Sequence, residues 1–561
     1  MWWVYISCFL LYLSAVSCEP VIKTAKGKIR GQILKSRYGR DYYSFTGIPY
    51  AKPPVGELRF QPPVEIDPWE GIWDAINDPK ICVQNNHFFP IMRSLIHGQE
   101  DCLYLNIFTP DLNKKLPVMF WIHGGGFLAG HSAPDLYGPD YFMDKDVVFV
   151  SFNYRLGLFG FISTEDDVIP GNYGMKDQVM VLRWVRENIA NFGGDPEQVT
   201  IFGESAGGAS TGYHLLSPMS KGLFQKAILQ SGTPLCCWAL SSPGIIRKRT
   251  EAVATIAGCY ANSSLEILNC LKKIPAFYLV ELHNKLFEWI NNPSILFPPV
   301  VESCNSNQEA FLCNHPITEF KQESNVPTII GLNSGEGGLF VANLYNETSL
   351  LFPELQTDFN RLLGSLLTYK HLSLPEHWDE IGDRIMTKYF PSGKIDDHLS
   401  TVNMLGEGTF LPCVYSMALK LSSPSYIYLF DYQNEFSFNQ FYGECKKPLG
   451  VSHGDEMISM FPLKVVNPNG LNERDEEVSK LIIDIWVKFA SSKTLTIDGK
   501  DDGKAWPEFK SIEKLSVLHI DSARPKLVQN PFAEKYKFWN ELPLFSRLKQ
   551  FTSKPNVKYE L

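Results

Sequence analysis

The sequence has no block of lysine or arginine. Its 52 basic residues are outnumbered by 61 acidic ones, for a formal net charge of −9. Tracking a nucleic-acid backbone needs a basic face, so nucleic acid is excluded as a partner class. Beyond the N-terminus no run of about 18 uninterrupted apolar residues occurs, so no membrane span is expected in the mature chain. Cysteine is sparse, 12 in 561 residues, and no C-x-x-C occurs. A small disulfide scaffold is thereby excluded, zinc is disfavoured, and no metal is expected. G-x-x-x-x-G-K-[ST] is absent and no G-x-G-x-x-G opens a dinucleotide-binding unit, which removes the common phosphate-binding loops. Repeats, low-complexity tracts and long Gly/Ser linkers are missing too.

What is present is a large core. Hydrophobic residues make up 44% and charged residues 20% of the chain, so disorder is not the main state. The first residues, MWWVYISCFLLYLSAVSC, carry no charged side chain before Glu19. Small residues at Ser14, Ala15 and Ser17 end this run as in a secretory signal peptide, so residues 1–18 are expected to be removed and 19–561 to form the folded unit. Sequons at Asn262 and Asn346 agree with that route. The C-terminus Lys558-Tyr559-Glu560-Leu561 resembles endoplasmic-reticulum retrieval addresses, with Tyr where Asp usually stands. The expected compartment is therefore that lumen or the exterior. In an oxidising compartment Cys82 with Cys102, Cys259 with Cys270, and Cys304 with Cys313 would close short loops, each worth about 3 kcal/mol. Connectivity does not follow from sequence, and Cys236, Cys237, Cys413 and Cys445 have no evident partner.

Short apolar runs alternate with helical patterns. Strands are expected at Val118–Ile122, Val147–Phe152, Val199–Phe202, Ala227–Gln230, Pro327–Leu332 and Tyr426–Phe430. Lys176–Ala190 has helical spacing, and Val478, Leu481, Ile482, Ile485 and Phe489 mark one face of a long helix. Strands interleaved with helices indicate an α/β fold, a mostly parallel sheet covered on both faces, in one domain.

Two local patterns carry chemistry. Gly203-Glu204-Ser205-Ala206-Gly207 follows the strand Val199–Phe202 and precedes the helical stretch AGGASTGYHLLS. A serine on such a strand-to-helix turn projects its hydroxyl above the sheet edge as a nucleophile. His123-Gly124-Gly125-Gly126 ends the strand Val118–Ile122. Glycines there let backbone N–H groups approach a developing oxyanion, and the amides of Gly125, Gly126 and Ala206 would form the hole. His123 itself reads as structural.

At these residues the chain resembles the carboxylesterase/cholinesterase family of α/β-hydrolases, most of all the insect carboxylesterases. The resemblance covers essentially the whole mature sequence, through SFTGIPYAKPPVGELRF, EDCLYLNIFTP, WIHGGGF, NYRLGLFGF, GNYGMKDQ, NFGGDPEQVTIFGESAGG and GVSHGDE. It implies the α/β-hydrolase fold, with a large mixed sheet, and a serine carboxylesterase needing no cofactor. Spacing alone leaves five histidines after Glu336: His371, His377, His398, His453 and His519. His519, in an apolar run, is expected to be packed. The resemblance implies Glu336 in NSGEGG as the acid and His453 in GVSHGDE as the base. It also implies supporting roles for Glu204 and Ser231, and an acyl-pocket wall at Trp238, where Cys237 replaces a common Pro. Activity should then fall below about pH 6.5 as His453 protonates.

Departures from the family narrow the substrate. Cholinesterases carry a choline-binding Trp in the first disulfide loop, and CVQNNHFFPIMRSLIHGQEDC has none. Juvenile hormone esterases usually have Gln before the nucleophile, where this chain has Glu204. Uncharged fatty-acyl and xenobiotic esters are the expected substrates. The alternatives are a juvenile hormone-type esterase or a non-catalytic adhesion member, although such members have lost the serine.

Overall fold

The computed structural model describes residues 19–88, 95–304, 309–319, 325–344, 351–443, 447–492, 494–511 and 514–547. The N-terminal 18 residues, Asn346, Cys445 and the C-terminal tetrapeptide lie outside these.

Runs of apolar residues too short for buried helices form an eleven-stranded sheet. In chain order its strands are β1 Gln32–Lys35, β2 Asp41–Pro49, β3 Tyr104–Thr109, β4 Leu116–Ile122, β5 Val148–Phe152, β6 Gly194–Glu204, β7 Lys226–Gln230, β8 Thr328–Asn333, β9 Ser425–Phe430, β10 Ser516–Ile520 and β11 Lys526–Gln529. Their spatial order is β1-β2-β3-β5-β4-β6-β7-β8-β9-β10-β11. From β5 to β10 all pairings are parallel, and the flanking strands run antiparallel. The central strands β4, β5 and β8 are buried at every residue, as sheets covered on both faces require. Each expected strand lies within or overlaps one of these. Strands β1, β2, β3 and β11 were not singled out by sequence, and β10 was marked only by the apolar run around His519.

Helices α1 Tyr173–Asn188, α2 Ala206–Leu216 and α3 Glu473–Ser491 cover the sheet. The Asn472 side chain caps α3 by accepting from Asp475 N–H at 2.9 Å, and Glu473, Asp475 and Glu476 favour the positive end of its dipole. Val478, Leu481, Ile482, Ile485 and Phe489 are all buried, each contributing about 1.5–3 kcal/mol. Trp121 on β4 packs on Phe202 of β6 with ring centroids 4.9 Å apart and on Phe461 at 4.8 Å, so the core abuts the two strands that end in the chemical motifs.

Cys82–Cys102, Cys259–Cys270 and Cys304–Cys313 are disulfides. So is Cys236–Cys413, a pair for which spacing gave no hint. Cys237 is a free thiol whose Sγ donates to the Leu367 carbonyl at 3.0 Å. Closing a loop of sequence separation 177 constrains the unfolded chain most, by about 5 kcal/mol in the chain-entropy account. The double variant Cys236→Ser/Cys413→Ser is therefore expected to melt several degrees below the parent without reductant; thermal scans that coincide would contradict this.

Candidate active site

The carboxyl ends of the parallel strands converge on one cavity of about 420 Å³, the place where α/β sheets bind ligands. From β6 the chain turns into α2 through Ser205, at φ 58° and ψ −121°. This strained backbone is tolerated because the turn is packed from both sides. Gly207 is required at that packing, since a Cβ there would stand 2.0 Å from the Ile122 carbonyl oxygen. Ser205 N–H is anchored to the Gln230 carbonyl at 2.8 Å, which ties the turn to β7. The serine is partly exposed and lines the cavity.

After β4, Gly124, Gly125 and Gly126 line the same cavity. Gly125 adopts φ 102°, and a Cβ there would fall 2.1 Å from the Ala129 carbonyl oxygen, so only glycine fits. Among the described residues neither the Gly125 nor the Gly126 amide donates to a protein acceptor, and the amide of Ala206 is at the first position of α2, where helix N–H groups are unpaired. His123 is buried, with Nδ1 2.8 Å from the Gly124 carbonyl and its ring stacked on Tyr154; burial lowers its pKa to about 3, which fits a structural role.

Glu336 follows β8 and His453 lies on the loop after β9, and the two meet. His453 Nδ1 is 2.6 Å from Glu336 Oε2, and the residues are 4% and 2% exposed. The other carboxylate oxygen, Oε1, accepts from Ser231 Oγ–H at 2.6 Å and from Asn333 N–H at 2.7 Å. The His453 loop is held by Asp455, which accepts from Ser437 Oγ–H, Phe438 N–H and Ser452 N–H, each at 2.8 Å. The ring of Phe410 lies 4.5 Å from that of His453. Glu204 Oε1 approaches His453 Nε2 at 3.1 Å from outside hydrogen-bond geometry. Burial opposes a charged imidazole, but Glu204 and Glu336 outweigh it and raise the His453 pKa above its ordinary value; burial raises Glu204 in turn.

The remaining histidines are elsewhere. His377 sits 3.4 Å from Glu380. His519 is on β10 but pairs with Asp431 at 2.9 Å and is part-exposed, which corrects the expectation that it is packed: the carboxylate of Asp431, just past the end of the neighbouring strand β9, meets its ring. Trp238 is buried beside Phe127 and Phe410, at 6.4 and 6.0 Å between rings, and lines a neighbouring cavity rather than the one holding Ser205. Asn262 is exposed just before the helix Ser264–Leu271. Glu456, which accepts from Asn333 Nδ2 and Gln230 Nε2, is a buried member of the carboxylate cluster that sequence did not single out; its one signal is its place in GVSHGDE.

No helix among the described residues is long and apolar enough to cross a membrane. The carboxylesterase family model matches residues 18–539. The chain is 36% identical to the juvenile hormone esterase of Tribolium castaneum, over 90% of this chain and 89% of that protein. It is 34% identical to venom carboxylesterase-6 of Apis mellifera, over 97% and 99%. The crystal structure of juvenile hormone esterase from Manduca sexta, with OTFP covalently attached, superposes with a TM-score of 0.83 at 29% identity, covering 95% of this chain and 100% of that one. The family match runs through nearly the whole chain, on an α/β-hydrolase sheet: the protein belongs to the carboxylesterase family and is a carboxylic ester hydrolase.

Proposed function

We propose that the protein is a serine carboxylesterase that hydrolyses uncharged fatty-acyl and xenobiotic esters through an acyl-enzyme. The observation that carries this is the 2.6 Å Glu336–His453 pair sharing its site with a serine on a strained strand-to-helix turn. Ser205 Oγ attacks the ester carbonyl carbon while His453 Nε2 takes its proton. The amides of Gly125, Gly126 and Ala206 stabilise the oxyanion. The C–O bond to the alcohol breaks, and His453 gives the proton to that oxygen. Water then attacks the acyl-enzyme by the same route, releasing the acid and restoring Ser205. Glu336 orients the imidazole and stabilises its cationic form. Leu136, Leu339, Phe438, Phe441 and Met457 line the cavity, which suits apolar esters. Trp238, to which the resemblance gives the acyl-side wall, stands behind Phe410, whose ring packs on His453.

Residues 1–18 direct the chain into the secretory pathway and are then removed; the chain is glycosylated at Asn262 and Asn346, and is retained by its C-terminal tetrapeptide or secreted. A juvenile hormone-type esterase is the second reading, favoured by the names of two relatives and opposed by Glu204.

The test is hydrolysis of p-nitrophenyl acetate and butyrate by the purified protein. Turnover of both is expected; a folded protein that hydrolyses neither would contradict the proposal. The pH profile tests the base. The imidazole must be neutral to accept a proton, so kcat/KM rises with pH through the His453 pKa. Two neighbouring carboxylates raise that pKa, so the acidic limb is expected above pH 6.5 rather than below it. Glu204→Gln removes one of these charges and should move the limb down by about one pH unit or more. An unmoved or upward-shifted limb would contradict the assignment.

A further inference from the structure

Two histidines line the cavity without a part in this reaction. The Cys82–Cys102 disulfide closes a loop whose strands Gln84–Asn85 and Ile96–His97 pair antiparallel, with Gln84 opposite His97. Gln84 also clamps Gly130: its Nε2 donates to the Gly130 carbonyl at 2.9 Å and its Oε1 accepts from Gly130 N–H at 2.8 Å. Two residues on, Ser132 N–H donates to Asn153 Oδ1 at 2.8 Å, and the Ser132 carbonyl accepts from Asn106 Nδ2 at 2.8 Å. His131 is therefore held on both sides, and its ring lines the cavity together with those of His97 and Gln84's side chain.

The backbone contacts favour one tautomer of each neutral ring. Ala133 N–H donates to His131 Nδ1 at 3.3 Å, so the hydrogen of the neutral ring is on Nε2. His97 Nδ1 lies 3.4 Å from the Leu95 carbonyl, an acceptor, which favours hydrogen on Nδ1 and a lone pair on Nε2. Burial lowers the His131 pKa, against Asp135 and with His97, and so favours the neutral ring. One fixed donor and one acceptor match a hydroxyl group, which offers one of each.

We propose that His131 Nε2–H and His97 Nε2 hold a free hydroxyl on the alcohol half of the ester, making monoesters of diols better substrates than esters of plain alcohols. This rests on Ser205 being the nucleophile of the same cavity. The alcohol half is assigned because the His131 and His97 wall is polar, whereas Leu339, Phe438 and Met457 give the same cavity an apolar lining suited to the acyl chain. The alcohol also departs first, and a part-exposed polar wall, with the His131 side chain 17% exposed, suits a group returning to water. A plain alkyl group there would leave the His131 N–H without an acceptor.

The test compares kcat/KM for 3-hydroxypropyl butyrate and propyl butyrate in the full-length protein. The wild type is expected to prefer the hydroxylated ester by about tenfold, the scale of one well-placed hydrogen bond. In His131→Leu the ratio should fall towards one, and His131→Gln, which keeps a donor, should restore part of it. Each protein's propyl butyrate rate is its own reference, so a general loss of activity does not move the ratio. Where His131→Leu does not fold, His97→Leu reads the same ratio. A wild-type ratio near one, or a preference that survives the leucine variant, would overturn the proposal. Failure of the wild type to hydrolyse either ester would instead overturn the esterase assignment itself.

Discussion

Ser205→Ala is expected to lower kcat on p-nitrophenyl butyrate by about 10⁶-fold, the scale seen when a serine nucleophile is deleted from a triad that acts as a unit. The change removes one oxygen from a side chain whose backbone is set by the Gln230 carbonyl and the packing against Ile122, so folding should be undisturbed. The variant should therefore keep its circular dichroism spectrum while losing turnover. Adding His453→Ala should cost little more, because a base with no nucleophile to activate contributes nothing. A Ser205→Ala protein within tenfold of the parent would remove the acyl-enzyme account.

Glu336→Gln is expected to cost about 10⁴-fold, the scale of a triad forced into the wrong tautomer, although it is nearly isosteric. The reason lies in the far oxygen. Oε1 accepts from the Asn333 amide, which cannot reverse its polarity, and from Ser231 Oγ–H. In glutamine the carbonyl oxygen must take that place, which turns the NH₂ group towards His453 Nδ1. Nδ1 must then carry the lone pair, and the hydrogen moves to Nε2, the atom that has to accept from Ser205. Glu336→Asp keeps the charge but shortens the reach, and should lose less. Stopped-flow release of p-nitrophenol would measure both; equal loss in the two variants would show that charge and tautomer are not what Glu336 supplies.

The strand-to-helix turn at Ser205 and the glycine run after His123 could be read directly from the chain, because both are local: a few adjacent residues fix the backbone, and the strands before them are continuous apolar runs. The helix faces of α1 and α3 were legible for the same reason. His453 and Glu336 are different. They meet only because β8 and β9 are neighbours in the sheet, and no spacing rule states that; the family resemblance supplied them. Glu456 and the Cys236–Cys413 bridge were missed because burial of a carboxylate and pairing across a separation of 177 residues are tertiary outcomes. The short, charged edge strands β1 and β11 lack the apolar signal that marks buried strands. The reversal of the acidic limb relative to pH 6.5 also came from tertiary structure, since Glu204 precedes Ser205 in sequence and yet its carboxylate stands 3.1 Å from His453.

The most direct test of the central claim is covalent labelling. The protein is treated with an alkyl fluorophosphonate while residual butyrate hydrolysis is followed, and the adduct is mapped by peptide mass spectrometry. One adduct per chain, on Ser205, with activity lost in proportion to labelling, is the predicted result. Turnover that persists when Ser205 is fully modified, or complete inactivation with Ser205 unmodified, would contradict the account.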